Sequence, residues 1–373
     1  LVIGLMAALL VAAGCGEGLR EAERREPQEW PMFGGSPSRV GYCSEELSPP
    51  FEPKWSHRGD ALEGGAAAAM RRVFFADTGG KVWCLRHDSG ELDWVFEGDA
   101  PFRRQVPLVH DKRVFVVDDR GTLYCLDALG GRRLWQKELG EGEASSAAGE
   151  GGRVYLSHGK SLLCFDARSG EMLFRVDPPG ASRLTAPALQ GGRAFVGTDT
   201  GELFCVDAIT GLVEWRVSLG TGISCGPVAS AAGILVGTED NHLNLLNALN
   251  GQAAWSAHLA QPIQAAPAVR DSSAFVGVGD EESLVPATVW CLDMGNGKAR
   301  WSYQADLYGS LGVSADPSYV YVHGGLVLEG VSGRRVMSQQ MEGNPLMPPV
   351  PYDGKLYVCS PGGTMTCLGP VSR

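Results

Sequence analysis

A chain of 373 residues suffices for one large all-β domain or two average ones. Its 51 glycines, 22 prolines and 20% charged residues exclude a coiled coil or a largely disordered chain. The net charge is −11, and basic residues gather only in short pairs such as Arg24-Arg25, Arg103-Arg104 and Arg132-Arg133. A nucleic-acid binder needs a basic stripe to displace counterions from phosphate, so nucleic acid is not an expected partner.

The first thirteen residues, Leu1 to Ala13, contain no charge and no proline. A stretch this short cannot cross a hydrocarbon core of ~30 Å as a helix, which takes about 20 residues. It suits the apolar region of a secretion signal. Ala12-Ala13-Gly14-Cys15 then resembles a bacterial lipobox, with Ala12 where Leu is usual. That resemblance implies a lipoprotein signal peptide over 1–15 and a lipid on Cys15. Gly16 to Glu29 hold eight charged residues and no apolar period, which reads as a solvated tether inside an extension over 16–50.

From residue 51 the chain repeats itself about every 40 residues. With Cys84, Cys125, Cys164, Cys205, Leu245, Cys291 and Val327 as anchors, a glycine follows six residues later each time: Gly90, Gly131, Gly170, Gly211, Gly251, Gly297 and Gly333. Ten residues after the anchor stand Trp94, Trp135, Phe174, Trp215, Trp255, Trp301 and Met337. Segments such as Arg153-Val154-Tyr155-Leu156 and Leu203-Phe204-Cys205-Val206 read as strands buried on both faces. The glycine belongs in a hairpin loop that needs a positive φ. The Asp opening that loop (Asp127, Asp166, Asp207, Asp293) is placed to accept backbone N–H bonds. The indole is expected flat between neighbouring sheets. Pro107, Pro187, Pro227, Pro267 and Pro349 mark the start of the first strand in five of the units, where a missing N–H leaves no ladder bond unmade.

Four strands per unit, repeated radially without any 3.6-residue apolar period, predict an all-β propeller of four-stranded antiparallel blades. Cys367 opens an eighth unit without its aromatic strand, whereas Phe51 to His57 carries Trp55 without an anchor before it. The two halves predict an eight-bladed ring over 51–373, closed by the N-terminal strand joining the C-terminal hairpin, with no free edge.

The copy Ala194-Phe195-Val196-Gly197-Thr198-Asp199-Thr200-Gly201-Glu202-Leu203-Phe204-Cys205-Val206-Asp207-Ala208-Ile209-Thr210-Gly211, then Glu214-Trp215, resembles the repeat of the pyrroloquinoline-quinone (PQQ)-type propeller family. Trp30-Pro31-Met32-Phe33-Gly34-Gly35 with Arg39 and Gly41 is similar to a segment that often precedes such propellers in secreted bacterial proteins. One branch of that family holds quinoprotein dehydrogenases, which carry PQQ and Ca²⁺ over the central funnel. The other holds cofactor-free scaffolds, including the propeller lipoprotein of the outer-membrane β-barrel assembly machinery. No two Cys are adjacent in this chain and its blades lack long insertions, so the resemblance favours the scaffold branch. It implies a non-enzymatic, monomeric propeller without a cofactor, anchored by lipid and facing the periplasm, at the outer membrane rather than the inner. Its partners would be envelope proteins, and outer-membrane protein assembly its role. The alternative is a PQQ/Ca-binding quinoprotein oxidoreductase.

The search for reactive chemistry yields little. The six anchor cysteines (84, 125, 164, 205, 291 and 367) fall on different blades, beyond the ~7 Å Cα limit for a bridge, and read as small buried hydrophobes. Cys359 and Cys367 share one blade, which leaves a disulfide open. The seven His are scattered singly, without metal-ligand spacing. Asp118-Asp119 reads as a solvated hairpin. The loops between blades are the expected binding surface, and Phe102, Arg103, Arg104, Arg183 and Tyr308 are its candidate contacts, since aromatic and Arg groups favour interfaces.

Overall fold

The computed structural model describes residues 28–280, 284–338 and 347–371. Eight four-stranded antiparallel sheets form a ring. Blade 1 comprises Ala66–Ala69, Arg72–Ala76, Lys81–Arg86 and Leu92–Glu97. The innermost strands of blades 2 to 8 are Leu108–His110, Ala148–Glu150, Ala188–Gln190, Ile223–Ser230, Ala268–Arg270, Val313–Ala315 and Val350–Tyr352. Among the described residues one 3-10 turn, His323–Gly325, is the sole helical piece, and no helix is long and apolar enough to cross a membrane. Blade 8 closes as expected: Phe51–Arg58 pairs antiparallel with Thr364–Pro370, and Trp55 stands opposite Cys367.

The ten-residue spacing of the repeat has a geometric origin. Each anchor faces its aromatic across the outer hairpin, as in Cys84 and Trp94, Cys125 and Trp135, or Cys205 and Trp215. The register slips immediately beyond that pair, a bulge that bends the outer strand. Second and third strands are buried along their length because each blade is sandwiched between two others, whereas outer strands such as Ala253–His258 alternate toward solvent. Core clusters accordingly lie between blades; Phe74, Cys84 and Trp94 of blade 1 pack with Val114 and Tyr124 of blade 2.

Each outer-strand indole locks onto the following blade. Trp94 Nε1 donates to Ala128 O at 3.1 Å, and the bonds from Trp55, Trp135, Trp215, Trp255 and Trp301 reach the equivalent carbonyls at 2.8–3.3 Å. The recurrent glycine lies beneath the ring: a Cβ on Gly131 would sit 2.6 Å from the Trp94 indole, and its φ is +68°. The loop aspartates act as expected, with Asp127 Oδ1 accepting from Leu129 N–H and Gly130 N–H at 3.2 and 2.8 Å.

One sequence reading changes, and one question left open by the sequence is answered. Asp118 is buried rather than solvated: its carboxylate accepts from Thr122 N–H at 2.8 Å and Tyr124 OH at 3.0 Å, which closes the hairpin between the second and third strands of blade 2. Asp119 keeps its exposure. Cys359 lies opposite Met365 and Cys367 opposite Tyr357, and both thiols are free and buried.

The segment before Phe51 packs onto the ring. Trp30 bridges Ala68, and the carbonyls of Pro31, Pro37, Ser38 and Val40 accept from Val109, Leu189, Ala229 and Val269 N–H at 2.7–2.9 Å. Cys43 N–H then donates to Ala315 O at 2.9 Å. Residues 30–43 thus touch the innermost strands of six blades in turn and cap one end of the central channel. Gly34 and Gly35 allow the chain to double back, since Cβ atoms there would lie 2.7 Å from Arg39 Cα and the Trp30 ring.

Candidate functional site

The connections from each outer strand to the next inner strand converge at the other end of the channel. Pro107, Pro187, Pro267 and Pro349 each stand one residue ahead of an inner strand, and Pro227 lies where the ladder of Ile223–Ser230 is already irregular. Here the connections leave a funnel of about 310 Å³, walled by Ser145, Thr185, Ser224, Ala265 and Pro348 among others.

Its floor comes from the N-terminal segment. Arg39, in a left-handed conformation at φ +62°, sends its guanidinium up into the channel from the capping segment. Nη1 donates to Ala186 O at 2.7 Å, and Cζ lies 4.5 Å from the centroid of Phe33. The residue is 5% exposed and has no carboxylate partner among the described residues. Burial lowers its pKa to about 10, offset in part by the neighbouring Cys225, so it remains cationic at neutral pH. At the rim, Asp199 accepts from Ser182 N–H at 3.1 Å and from the Ser182 hydroxyl, whereas Glu143 is exposed.

A second hollow of about 520 Å³ adjoins the first through Glu143 and Ala144. Arg103 and Arg104 line it together with Glu63, Asp118 and Asp119. Arg103 Nε lies 3.5 Å from Asp119 Oδ2, an exposed pair worth at most about 1 kcal/mol.

The candidate loop residues therefore divide. Arg103 and Arg104 share one hollow, and Arg183 is exposed on the rim of the other. Phe102 is fully buried, 6.0 Å from the Tyr124 ring, and packs its loop rather than facing a partner. Tyr308 is 51% exposed and lines neither hollow. Cys15 lies outside the described residues. Sequence reasoning noted Arg39 only as part of a recurring segment. The available signal was a single arginine inside an otherwise uncharged Gly-, Pro- and Ser-rich stretch.

The family model described as outer membrane protein assembly factor BamB matches residues 45–161, 158–307 and 215–347. The chain belongs to this family. Among curated relatives, the serine/threonine-protein kinase AfsK of Streptomyces griseus is 28% identical over 177 residues, covering 43% of this chain and 22% of the kinase. The match thus spans about a fifth of that relative's length, and its kinase activity does not transfer with it. BamB from Moraxella catarrhalis superposes with a TM-score of 0.72 at 18% identity, covering 87% of this chain and 99% of that one. The quinohemoprotein alcohol dehydrogenase of Comamonas testosteroni gives 0.77 at 12% identity, covering 93% of this chain and 81% of that one. At such identities these two structures establish the propeller fold alone.

The funnel's donors do not fit a calcium–quinone pair. Among the described residues no group of three or more His, Cys, Asp or Glu is placed to hold a metal ion. Of the lining carboxylates, Asp199 is already engaged by Ser182, and the buried Arg39 cation faces the same space.

Proposed function

We propose that this chain is a non-enzymatic propeller scaffold of the bacterial envelope, which presents its interblade connections to protein partners. Outer-membrane protein assembly is the role its family description suggests. The observation that carries the reading is the composition of the funnel end. Exposed arginines on two interblade connections, Arg103 and Arg104 on one and Arg183 on another, surround two adjoining hollows. Arginine on a rigid ring suits a polar partner surface, and fixed blades spare the ordering cost of docking. The ring acts as a monomer, tethered to the membrane by a lipid on Cys15 and facing the periplasm.

Affinity purification of the tagged full chain from solubilised, cross-linked envelopes tests this. The expected result is recovery of outer-membrane assembly proteins, reduced when Arg103, Arg104 and Arg183 are changed together to Glu. Recovery unaffected by the triple change would remove these arginines from the interface, and absence of any envelope protein would end the scaffold reading. For the anchor, Cys15→Ser is expected to move the protein from the membrane to the soluble fraction. Wild-type protein in the soluble fraction would refute it.

A further inference from the structure

We infer that the funnel is a binding site for a compact monocarboxylate, held by the Arg39 guanidinium at its floor. Three observations converge. Arg39 is 95% buried by its 5% exposure, yet no carboxylate neutralises it among the described residues. A buried cation ordinarily has an ionic partner, because desolvating it is costly. One backbone carbonyl and one aromatic face fix its orientation but bring no negative charge. The guanidinium also lines the funnel, so its remaining N–H groups have a site of about 310 Å³ in which to meet an acceptor. That volume is at the lower end of small-ligand pockets.

The guanidinium's planar fork matches a carboxylate. Glu143 and Asp199 at the rim oppose a second negative charge on the same ligand and favour a remainder that is neutral or cationic. Ser145, Thr185 and Ser224 supply a polar wall, in which the Ser224 hydroxyl donates to Ile263 O at 2.6 Å, the Ser145 hydroxyl donates to Ser146 O at 3.2 Å, and Thr185 Oγ1 accepts from Gly197 N–H at 2.9 Å. The site is independent of the scaffold reading, since it needs only the funnel and the capping segment.

The test titrates the purified full chain with propionate, β-alanine and succinate, against sodium chloride at matched ionic strength, by calorimetry and by thermal unfolding. Saturable binding of propionate or β-alanine is expected, with a rise in the unfolding midpoint that chloride does not give. Arg39→Gln should weaken binding about tenfold or more, the loss of a charge-assisted pair. Should Arg39→Gln fail to fold, Ala265→Phe serves in its place. Ala265 is a partly exposed loop residue, and a ring there fills the funnel while Arg39 stays intact. Ala265→Phe is expected to abolish binding and leave the unfolding midpoint of the free protein unchanged. The proposal is overturned if neither monocarboxylate binds the wild type, if either variant binds as the wild type does, or if succinate binds more tightly than both.

Discussion

Gly131 meets two demands at once: a backbone at φ +68° and a surface flat enough for the Trp94 indole to lie 2.6 Å from where a Cβ would stand. Alanine there adds left-handed strain and a steric clash with a ring that cannot move without breaking its bond to Ala128 O. Gly131→Ala is expected to destabilise by about 3 kcal/mol, read as a lower urea midpoint. Gly130→Ala next door, where a Cβ meets only Asp127 Oδ1 at 3.4 Å, should stay within about 0.5 kcal/mol. Equal effects at both positions would refute the lock. His323 gives a second prediction at this scale. It is 3% exposed, its Nδ1 accepts from Gly312 N–H at 3.2 Å, and Nε2 has no hydrogen-bond partner. Burial lowers its pKa from 6.5 to about 4. Between these values the unfolded chain binds more protons than the native one. Stability from this group is therefore complete above about pH 6.5 and is lost as pH falls through 4. At ~1.4 kcal/mol per pKa unit the loss approaches roughly 3 kcal/mol. Urea midpoints from pH 7.5 to 4.5 should fall for the wild type and less steeply for His323→Asn, which keeps an acceptor but does not titrate. Parallel slopes would remove His323 as a cause.

At the scale of elements, the capping segment and the closing strand hold the ring from opposite ends of one continuous run, Trp30 to Arg58. Trp30 is 2% exposed and anchors the start of that run through its bridge to Ala68 and its packing over Gly35. Truncating a buried Trp leaves a cavity and costs about 3–5 kcal/mol. Trp30→Ala is expected to lower the unfolding midpoint and to speed amide exchange at Val109 and Leu189, whose N–H groups bond Pro31 and Pro37 carbonyls. Exchange unchanged at both amides would mean that the segment is held without its tryptophan. The strand Phe51–Arg58 was legible from sequence because Trp55 lacked an anchor and Cys367 lacked an aromatic. The cap was not, because residues 30–43 form only one or two backbone bonds to each inner strand they meet, a pattern with no period to detect.

At the scale of the molecule, ring closure brings to one end connections that lie far apart in the chain, and those connections compose the funnel. Likeness to quinoprotein dehydrogenases extends over most of the chain but is a likeness of fold. The funnel's donor set predicts that PQQ with Ca²⁺ leaves the thermal midpoint within error and supports no dye reduction. A midpoint raised by several degrees, or reduction of the dye, would establish the quinoprotein alternative instead.

Repetition is what the sequence determined by itself. Anchor, glycine and aromatic recur because every blade solves the same local problem, a hairpin that must seat its neighbour's ring, and local problems leave a period in the chain. The eight-blade count and the mating of the two ends follow from that period. The depth of each side chain followed from the tertiary structure alone. Phe102 looked like a loop aromatic and is core, Asp118 looked solvated and is buried, and Arg39 looked like one residue of a recurring leading segment and is the cation at the funnel floor. Burial of these groups depends on which distant strands enclose them, and sequence spacing carries no record of that enclosure.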